Sequence, residues 1–330
     1  MIANIADVAK EAHVAPSTVS NVLNNTKFVS DDIKKRVFAA CEKLNYTPNF
    51  IASSMRTNRT NILGLFLKSS ISGFSDIYHP IIEGVTLTAS KYDYNVILYY
   101  DIDSRQNLKR LITSGRGPVD GAIMLTPQRA DFRMSELKDQ NIQYVLIGKP
   151  FDDCGGIPYV DVKNDEVAYN SVKLLIEKGR KKILFLNSEA EFGISEDRQK
   201  GFKKALSDSG LNPSASLMLN IKTDAYIAAK ICDEYFDKYG FDAIIVESDI
   251  SARGVYDCLK SRGIVIGRDV SVIALGGESV TGLQPKITTY NVNYMKIGKI
   301  AVECLIKKIK GMSVEDINNI ETGFVSGDSL

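Results

Sequence analysis

The sequence has few residues of the kinds that build metal sites, disulfide frameworks or membrane spans. It contains only two histidines, His13 and His79, which argues against a histidine-rich metal site. The five cysteines are scattered, odd in number and without CxxC spacing, so they indicate reduced thiols that mostly fill the core. No run of about 18 uncharged apolar residues occurs, and no secretory signal opens the chain. We therefore predict a cytoplasmic protein that binds neither a membrane nor a metal.

The sequence patterns of common enzymes and nucleotide-binding proteins are missing as well. The chain has no GxxxxGK[ST] phosphate loop, no GxSxG nucleophile elbow and no HExxH zinc helix. The glycines of "GRGPVDG" (115–121) do not lead from a strand into a helix, which favours a turn. We predict a protein that is not an enzyme and that needs no cofactor.

Charge is unevenly divided along the chain, although the formal total is only +1. The first 60 residues hold eight Lys/Arg against five Asp/Glu, a net charge of +3. The remaining residues hold 33 basic and 35 acidic side chains. A mildly basic head on a mildly acidic body indicates a small module that faces an anion.

The first 45 residues lack a strand pattern and predict three short helices. Asn4 is a good N-cap for the first helix, with an acidic residue three positions on. After a break of three residues, Pro16 suits the first turn of a second helix. The third helix is predicted to begin at Ser30, with Asp31 and Asp32 in its first turn.

The second predicted helix, in "PSTVSNVLNN" (16–25), carries hydroxyls and amides where a surface helix usually has Glu and Lys. Short donors and acceptors suit contact with DNA, whereas a glutamate would repel a phosphate. A helix, a three-residue turn and a second helix is the spacing of a helix-turn-helix, whose second helix enters the major groove. A plain helical hairpin fits the spacing alone equally well.

From residue 62 onward the sequence alternates between apolar strand runs and amphipathic helical segments. The runs are "NILGLFL", "NVILYY", "GAIMLT", "QYVLIG", "KILFLN", "AIIVES" and "VSVIAL". Their lack of alternation is typical of parallel strands covered on both faces. About 270 residues exceed one five-stranded unit, so we predict a doubly wound α/β body with two lobes. A ligand would bind in the cleft, at the carboxyl ends of the strands.

Together with this body, "NIADVAKEAHVAPSTVSNVLNN" and "VSDDIKKRVFAACEKLNYTPNFIASSMRT" resemble the lactose-repressor (LacI) family of bacterial transcription factors. The head follows the pattern I-x-D-V-A-x-x-A-x-V-S-x-x-T-V-S-x-V-L-N closely from Ile5 to Asn24. This match is specific enough to displace the hairpin interpretation. The resemblance implies a helix-turn-helix domain at 1–46 and a hinge helix at 47–60. It also implies a two-lobed body at 61–330 that is similar to periplasmic binding proteins and binds an effector.

The resemblance further implies a homodimer that binds a pseudo-palindromic operator in double-stranded DNA. The base contacts would come from Pro16, Ser17 and Asn21. The phosphate contacts would come from Thr18, Ser20, Asn25 and Ser30. The other implied DNA contacts are Asn4, Tyr46, Asn49, Ala52 and Met55. Of these, Met55 would be the apolar wedge that the hinge helix inserts into the minor groove.

Three positions of the head depart from the family's pattern. Asn21 replaces the usual arginine, and because asparagine pairs well with adenine, we expect a different base preference there. Ala15 replaces the usual capping serine. His13 replaces the usual turn glycine, and it either touches a phosphate or is tolerated in the turn.

For the body, the resemblance implies a small-molecule site in the cleft. Arg198 in "EDRQKGF" would bind the effector, and Asp249 in "SDISARG" would lie at the cleft wall. Tyr78 stands where the family stacks an aromatic ring on the effector, with a buried core role as the alternative. Gly276 and Lys163 each replace a usual aspartate. An added cation and a lost carboxylate favour an acidic or phosphorylated sugar over a neutral hexose.

We therefore predict a repressor that senses a sugar, a sugar acid or a sugar phosphate. Three alternatives stay open. The ligand could be a co-repressor or a partner protein that tightens DNA binding. The chain could instead be a solute-binding protein without a DNA function, or an α/β enzyme that acts on sugars.

Overall fold

The computed structural model describes residues 3–24, 27–46, 59–67, 77–100, 105–113, 119–151, 156–211, 216–276 and 282–330. The chain divides into two compact units, Met1–Thr60 and Asn61–Leu330. Most of the predicted hinge helix at 47–60 lies outside the described residues. Four predicted DNA contacts lie outside them too: Asn25, Asn49, Ala52 and Met55.

The first unit contains the three predicted helices, α1 (Ile5–Glu11), α2 (Pro16–Asn24) and α3 (Asp31–Lys43). A capping box begins α1: Asn4 Oδ1 accepts from the backbone N–H groups of Ala6 and Asp7, at 2.8 and 3.2 Å. In return, Asp7 Oδ2 accepts from the backbone N–H of Asn4 at 2.9 Å. The sequence prediction of these helices is confirmed.

A small apolar core holds the three helices together, and Val8, Val19 and Val37 are fully buried at its centre. The turn between α1 and α2 passes through His13, whose φ of 54° lies in the left-handed region. Glycine adopts this conformation most easily. His13 is therefore a turn residue in a conformation that a glycine would favour.

The second unit contains two six-stranded sheets. The first five strands are β1 (Ile62–Leu67), β2 (Asn95–Tyr100), β3 (Gly121–Leu125), β4 (Gln143–Ile147) and β5 (Tyr159–Val162). The next five are β6 (Ile183–Asn187), β7 (Leu217–Asn220), β8 (Ala243–Val246), β9 (Ser271–Ala274) and β10 (Thr288–Asn291). The last two are β11 (Ile317–Ile320) and β12 (Gly323–Val325). The first sheet has the order β11-β5-β4-β3-β1-β2 and the second β12-β10-β9-β8-β6-β7.

Helices cover both faces of each sheet. The first lobe has α4 (Tyr78–Lys91), α5 (Arg105–Thr113), α6 (Phe132–Asp139) and α11 (Tyr294–Ile309). The second lobe has α7 (Asn164–Glu177), α8 (Gly193–Asp208), α9 (Ala225–Tyr239) and α10 (Asp249–Ser261). Every strand pairing is parallel among the described residues except β10 with β12. The predicted two-lobed, doubly wound body is confirmed.

All seven predicted strands occur, but one of them is not covered on both faces. β2 is the edge strand of the first sheet, and Ile97, Leu98 and Tyr100 are 37–48% exposed. Its apolar run is therefore not explained by burial within one chain. The strands β5, β7 and β10–β12 were not predicted, because these short segments carry no long unbroken apolar run and most of them include polar residues.

Candidate functional site

The predicted base-contacting residues lie at the start and on the less buried side of α2. Pro16 and Ser17 are exposed and Asn21 is half-buried. Thr18 is also half-buried, whereas Ser20 is only 8% exposed, which limits the access of its hydroxyl to a phosphate. The short side chains at the N-terminal end of α2 are thus the more accessible ones, and the positive end of a helix dipole favours an anion there.

The other described DNA-contact candidates lie around the same three helices. Asn4 uses its side-chain oxygen to cap α1. Ser30 is exposed directly before α3 and makes no capping hydrogen bond with its side chain. Tyr46 is half-buried against the core of this unit. The contacts of these side chains with DNA remain predictions.

In the second unit, a cavity of about 160 Å³ opens where the carboxyl ends of the two sheets meet. From the first lobe it is lined by residues that follow or end β3, β4 and β5, and by the start of α4. From the second lobe it is lined by residues after β6 and β8 and by α8. The polar lining residues are Thr126, Asp161, Asn164, Ser188, Glu189, Arg198, Thr223, Glu247, Ser248 and Tyr294. This is where ligands bind in open parallel sheets.

Two of the five predicted effector-binding residues line this cavity. Arg198 lies on α8, and Tyr78 begins α4. Tyr78 is 2% exposed and also belongs to the core of the first lobe, so its two proposed roles coincide. Asp249 is buried next to the lining residue Ser248 but is not itself part of the lining. A Cβ added at Gly276 would lie 3.1 Å from the hydroxyl of Tyr294, so this position is adjacent to the cavity.

Lys163 lies away from the cavity. It directly precedes α7, and its Nζ pairs with Oε1 of Glu166 at 2.8 Å. Both side chains are more than half exposed and border a separate surface groove. Lys163 therefore does not supply a cation to the cleft. The expectation of an acidic effector loses the added cation on which it partly rested.

Arg198 is the best-defined donor in the cavity. It is 5% exposed, and its Nη1 donates to the hydroxyl of Ser188 at 3.2 Å. Burial lowers the pKa of its guanidinium, while the neighbouring Tyr294, Glu247 and Asp161 favour the charged form. An arginine stays protonated in proteins, so the cavity contains a fixed positive charge.

Two buried carboxyl groups that were not predicted from the sequence, Asp161 and Glu247, also line the cavity. Asp161 accepts from the backbone N–H groups of Val162 and Lys149, at 2.7 and 2.8 Å, and from the amide of Asn164. Burial raises the pKa of both carboxyl groups, and their hydrogen bonds partly oppose this. Each lies at or just after the end of a strand, a position that could have identified them.

Polar contacts also join the two lobes at the edge of the cleft. Nζ of Lys149, after β4, lies 2.8 Å from a carboxylate oxygen of Asp197 on α8. Burial would lower the pKa of Lys149, but the hydrogen bond and charge of Asp197 raise it overall. The backbone N–H of Arg129 donates to the carbonyl of Glu191 at 3.1 Å. The two lobes are therefore held together at the rim by contacts from both sides.

The described residues contain no group of three or more His, Cys, Asp or Glu side chains that could hold a metal ion. None of the helices formed by those residues is long and apolar enough to cross a membrane. Cys232, Cys258 and Cys304 are buried free thiols, in agreement with their predicted role as core residues.

Comparison with known proteins identifies both units. Residues 4–49 match the family of bacterial regulatory proteins, lacI family, and residues 172–330 match a periplasmic binding protein-like domain. The HTH-type transcriptional regulator RegA of Clostridium acetobutylicum is 31% identical over 327 residues, which cover 97% of this chain and 96% of RegA. The chain belongs to the LacI family. It is a DNA-binding transcriptional regulator, as its relatives are.

Other transcriptional regulators are similar to this chain over nearly its whole length. The regulator MalR of Streptococcus pneumoniae is 27% identical over 328 residues, and the match covers 94% of this chain and 93% of MalR. A crystal structure of the Lac repressor dimer bound to operator and the anti-inducer ONPF has a TM-score of 0.86 at 20% identity, covering 100% and 99% of the two chains. The regulator CelR in complex with cellobiose has a TM-score of 0.72 at 23% identity, covering 99% of each chain. At these identities the two structures establish the fold alone.

Proposed function

We propose that this LacI-family regulator is a repressor whose operator affinity is controlled by a small molecule bound in the cleft of its second unit. The observation that carries this proposal is the buried Arg198, which lines a cavity where the carboxyl ends of both sheets meet. A guanidinium offers several fixed donors, which suit the hydroxyl groups of a sugar. One similar protein, CelR, has a structure named as a complex with a sugar, cellobiose.

On the DNA side, Pro16, Ser17 and Asn21 are proposed to read bases. Thr18, Ser20, Asn25 and Ser30 are proposed to hold phosphates, and Met55 to enter the minor groove. With a net charge of only +3 in the first 60 residues, a single head is expected to bind DNA weakly. A second head in the same assembly raises the effective concentration and thus the affinity.

We propose a homodimer as the assembly that brings two heads to one operator. The exposed apolar residues of the edge strand β2, with Leu87 at 51% exposure on α4, form a surface that a second copy would cover. A structural relative, the Lac repressor, is described as a dimer on its operator. Two copies would fit a pseudo-palindromic site with one recognition helix in each half.

The experiment that tests this function is the selection of bound duplexes from a random DNA library, with and without a panel of sugars and sugar acids. A pseudo-palindromic motif is the expected result. A ligand that depletes the motif would be an inducer, and one that enriches it would be a co-repressor. Coupling in such systems is about 5- to 150-fold in affinity. If no motif is enriched in any condition, DNA recognition by the unaided chain is contradicted. That outcome would favour dependence on a partner protein.

A further inference from the structure

Three buried polar atoms of the residues that line the cavity have no hydrogen-bond partner among the described residues. They are Oγ1 of Thr126, Nε of Arg198 and Oε2 of Glu247. Arg198 and Glu247 are 5% and 4% exposed, so both side chains are buried at the cavity. Buried polar groups in folded proteins almost always have a partner. The structure thus leaves a donor and an acceptor open in one cavity.

One polar atom of Arg198 and one of Glu247 are engaged in hydrogen bonds, which restrains the orientation of each side chain. Oε1 of Glu247 accepts from the hydroxyls of Ser251 and Ser248, at 2.7 and 3.1 Å. Nη1 of Arg198 donates to Ser188. The carboxyl group and the guanidinium are therefore held in place before any ligand binds, a condition that favours specific recognition.

Arg198 and Glu247 attract each other electrostatically, yet they form no direct ion pair within the described part of the chain. One group that both accepts and donates could bridge them: it would accept from Nε of Arg198 and donate to Oε2 of Glu247. A hydroxyl group has both capacities, whereas a carboxylate or phosphate dianion only accepts.

The charges in the cavity also argue against an anion. Arg198 is the one cationic lining side chain among the described residues, and two buried carboxyl groups, Asp161 and Glu247, lie near it. Asp161 and Glu247 both favour the charged form of Arg198, so this charge already has partners in the cavity. An anionic ligand would therefore compete with two acidic side chains for the guanidinium of Arg198.

Position 276 is compatible with this role of Glu247. Gly276 stands where the resemblance implies an aspartate, and a Cβ there would lie 3.8 Å from the backbone carbonyl oxygen of Glu247. With glycine at position 276, the cavity has no carboxyl group from this residue. The carboxyl group of Glu247 comes from a different strand end.

We propose that Glu247 determines the class of effector: together with Arg198 it holds a hydroxyl of a neutral, polyhydroxylated ligand, and it excludes sugar acids and sugar phosphates. This inference rests on the proposed function, because it requires an effector in the cleft. It replaces the acidic effector that the sequence favours.

The test is calorimetric titration of the full-length protein, of Glu247→Gln and of Arg198→Met. The neutral probes are glucose, galactose, maltose and cellobiose, and the anionic probes are gluconate, glucuronate and glucose 6-phosphate. We expect the wild-type protein to bind a neutral probe and to bind the anionic probes far more weakly. Glu247→Gln should lower the ratio of neutral to anionic affinity by about tenfold or more. Arg198→Met should abolish the binding of both.

Glu166→Gln is the matched control, since it removes a carboxylate outside the cavity, and it should leave every affinity unchanged. Preference of the wild-type protein for an anion, absence of binding to all neutral probes, or an unchanged affinity ratio in Glu247→Gln would each overturn the inference. Selection of operator DNA in the absence of ligand does not depend on residue 247. Failure of that selection would contradict the proposed function, whereas failure of the titration contradicts only the role of Glu247.

Discussion

Nη2 of Arg36, on α3, donates a 2.5 Å hydrogen bond to the carbonyl oxygen of Ala12, the C-cap residue that follows α1. The same atom donates to the carbonyl of His13 at 3.1 Å. A charged donor thereby satisfies the free carbonyl groups at the end of α1 and ties the turn that precedes α2 to the third helix. This contact therefore helps to position α2 against α3.

Arg36→Ala should therefore loosen the DNA-binding unit. Loss of a hydrogen bond from a charged donor costs about 1–2 kcal/mol, so the amides of α1 should exchange faster. Hydrogen exchange of the 5–11 region, followed by mass spectrometry on the full-length protein, measures this. Lys34→Ala removes only a surface pair with Asp31 and should change the exchange little. Equal protection in both variants would contradict a structural role of Arg36.

Asn21→Arg should change the base preference of the regulator at one position in each half-site. Arginine binds guanine through O6 and N7, and a good bidentate contact discriminates by about 1–3 kcal/mol. Repeated selection from the random library measures the shift. Asn21→Gln is the control, because glutamine also pairs with adenine and should keep the original motif. An unchanged motif in Asn21→Arg would show that residue 21 does not read a base.

Met55→Gly should weaken operator binding if the side chain acts as a wedge in the minor groove. Insertion of an apolar side chain is what stabilises a kinked step, so we expect a loss of about tenfold or more. A fluorescence binding titration gives the affinity, and energy transfer between labelled DNA ends gives the bend. Met55→Leu should preserve both. Retention of the bend in the glycine variant would place the wedge elsewhere.

Gly201→Ala should destabilise the second unit. A Cβ at this position would lie 2.0 Å from the carbonyl oxygen of Asp165, where α7 and α8 are in close contact. Overpacking of this kind costs about 1–3 kcal/mol. It would also displace Arg198, which lies one turn before Gly201 on the same helix. Urea denaturation measures the loss. Gly323→Ala, whose nearest neighbour atom would be at 3.6 Å, should behave like the wild-type protein.

Glu247→Gln should raise the stability of the protein at neutral pH, although the residue serves binding. Burial raises the pKa of Glu247 above its ordinary value, so the unfolded chain loses this proton at a lower pH than the folded one. The stabilisation from this group is complete below the unfolded pKa and is lost as the pH rises through the folded pKa. The wild-type protein should melt below the variant at pH 7, and the gap should close toward pH 4. A constant gap would contradict the ionisation of Glu247.

The sequence predicted most of the helices and strands, and it predicted two of the residues that line the cavity. Unbroken apolar runs identified seven strands, and capping residues identified the helices of the head. Arg198 was identified because it belongs to a specific motif. Glu247 was missed, because its burial depends on the approach of the two sheets and on Ser251, one turn into α10. Lys163 was misplaced because the orientation of neighbouring residues was not predictable: Asn164 is buried, and Lys163 beside it is exposed.

The chain passes between the two lobes three times, after β5, after β10 and after β11. Its first sheet is therefore completed by β11, which follows the five strands β6–β10 of the second sheet in the chain. Until β11 has been made, the first lobe has five of its six described strands and lacks an edge strand. No single cut in the gene would yield either lobe whole. Each lobe is completed only after most of the other lobe has been made.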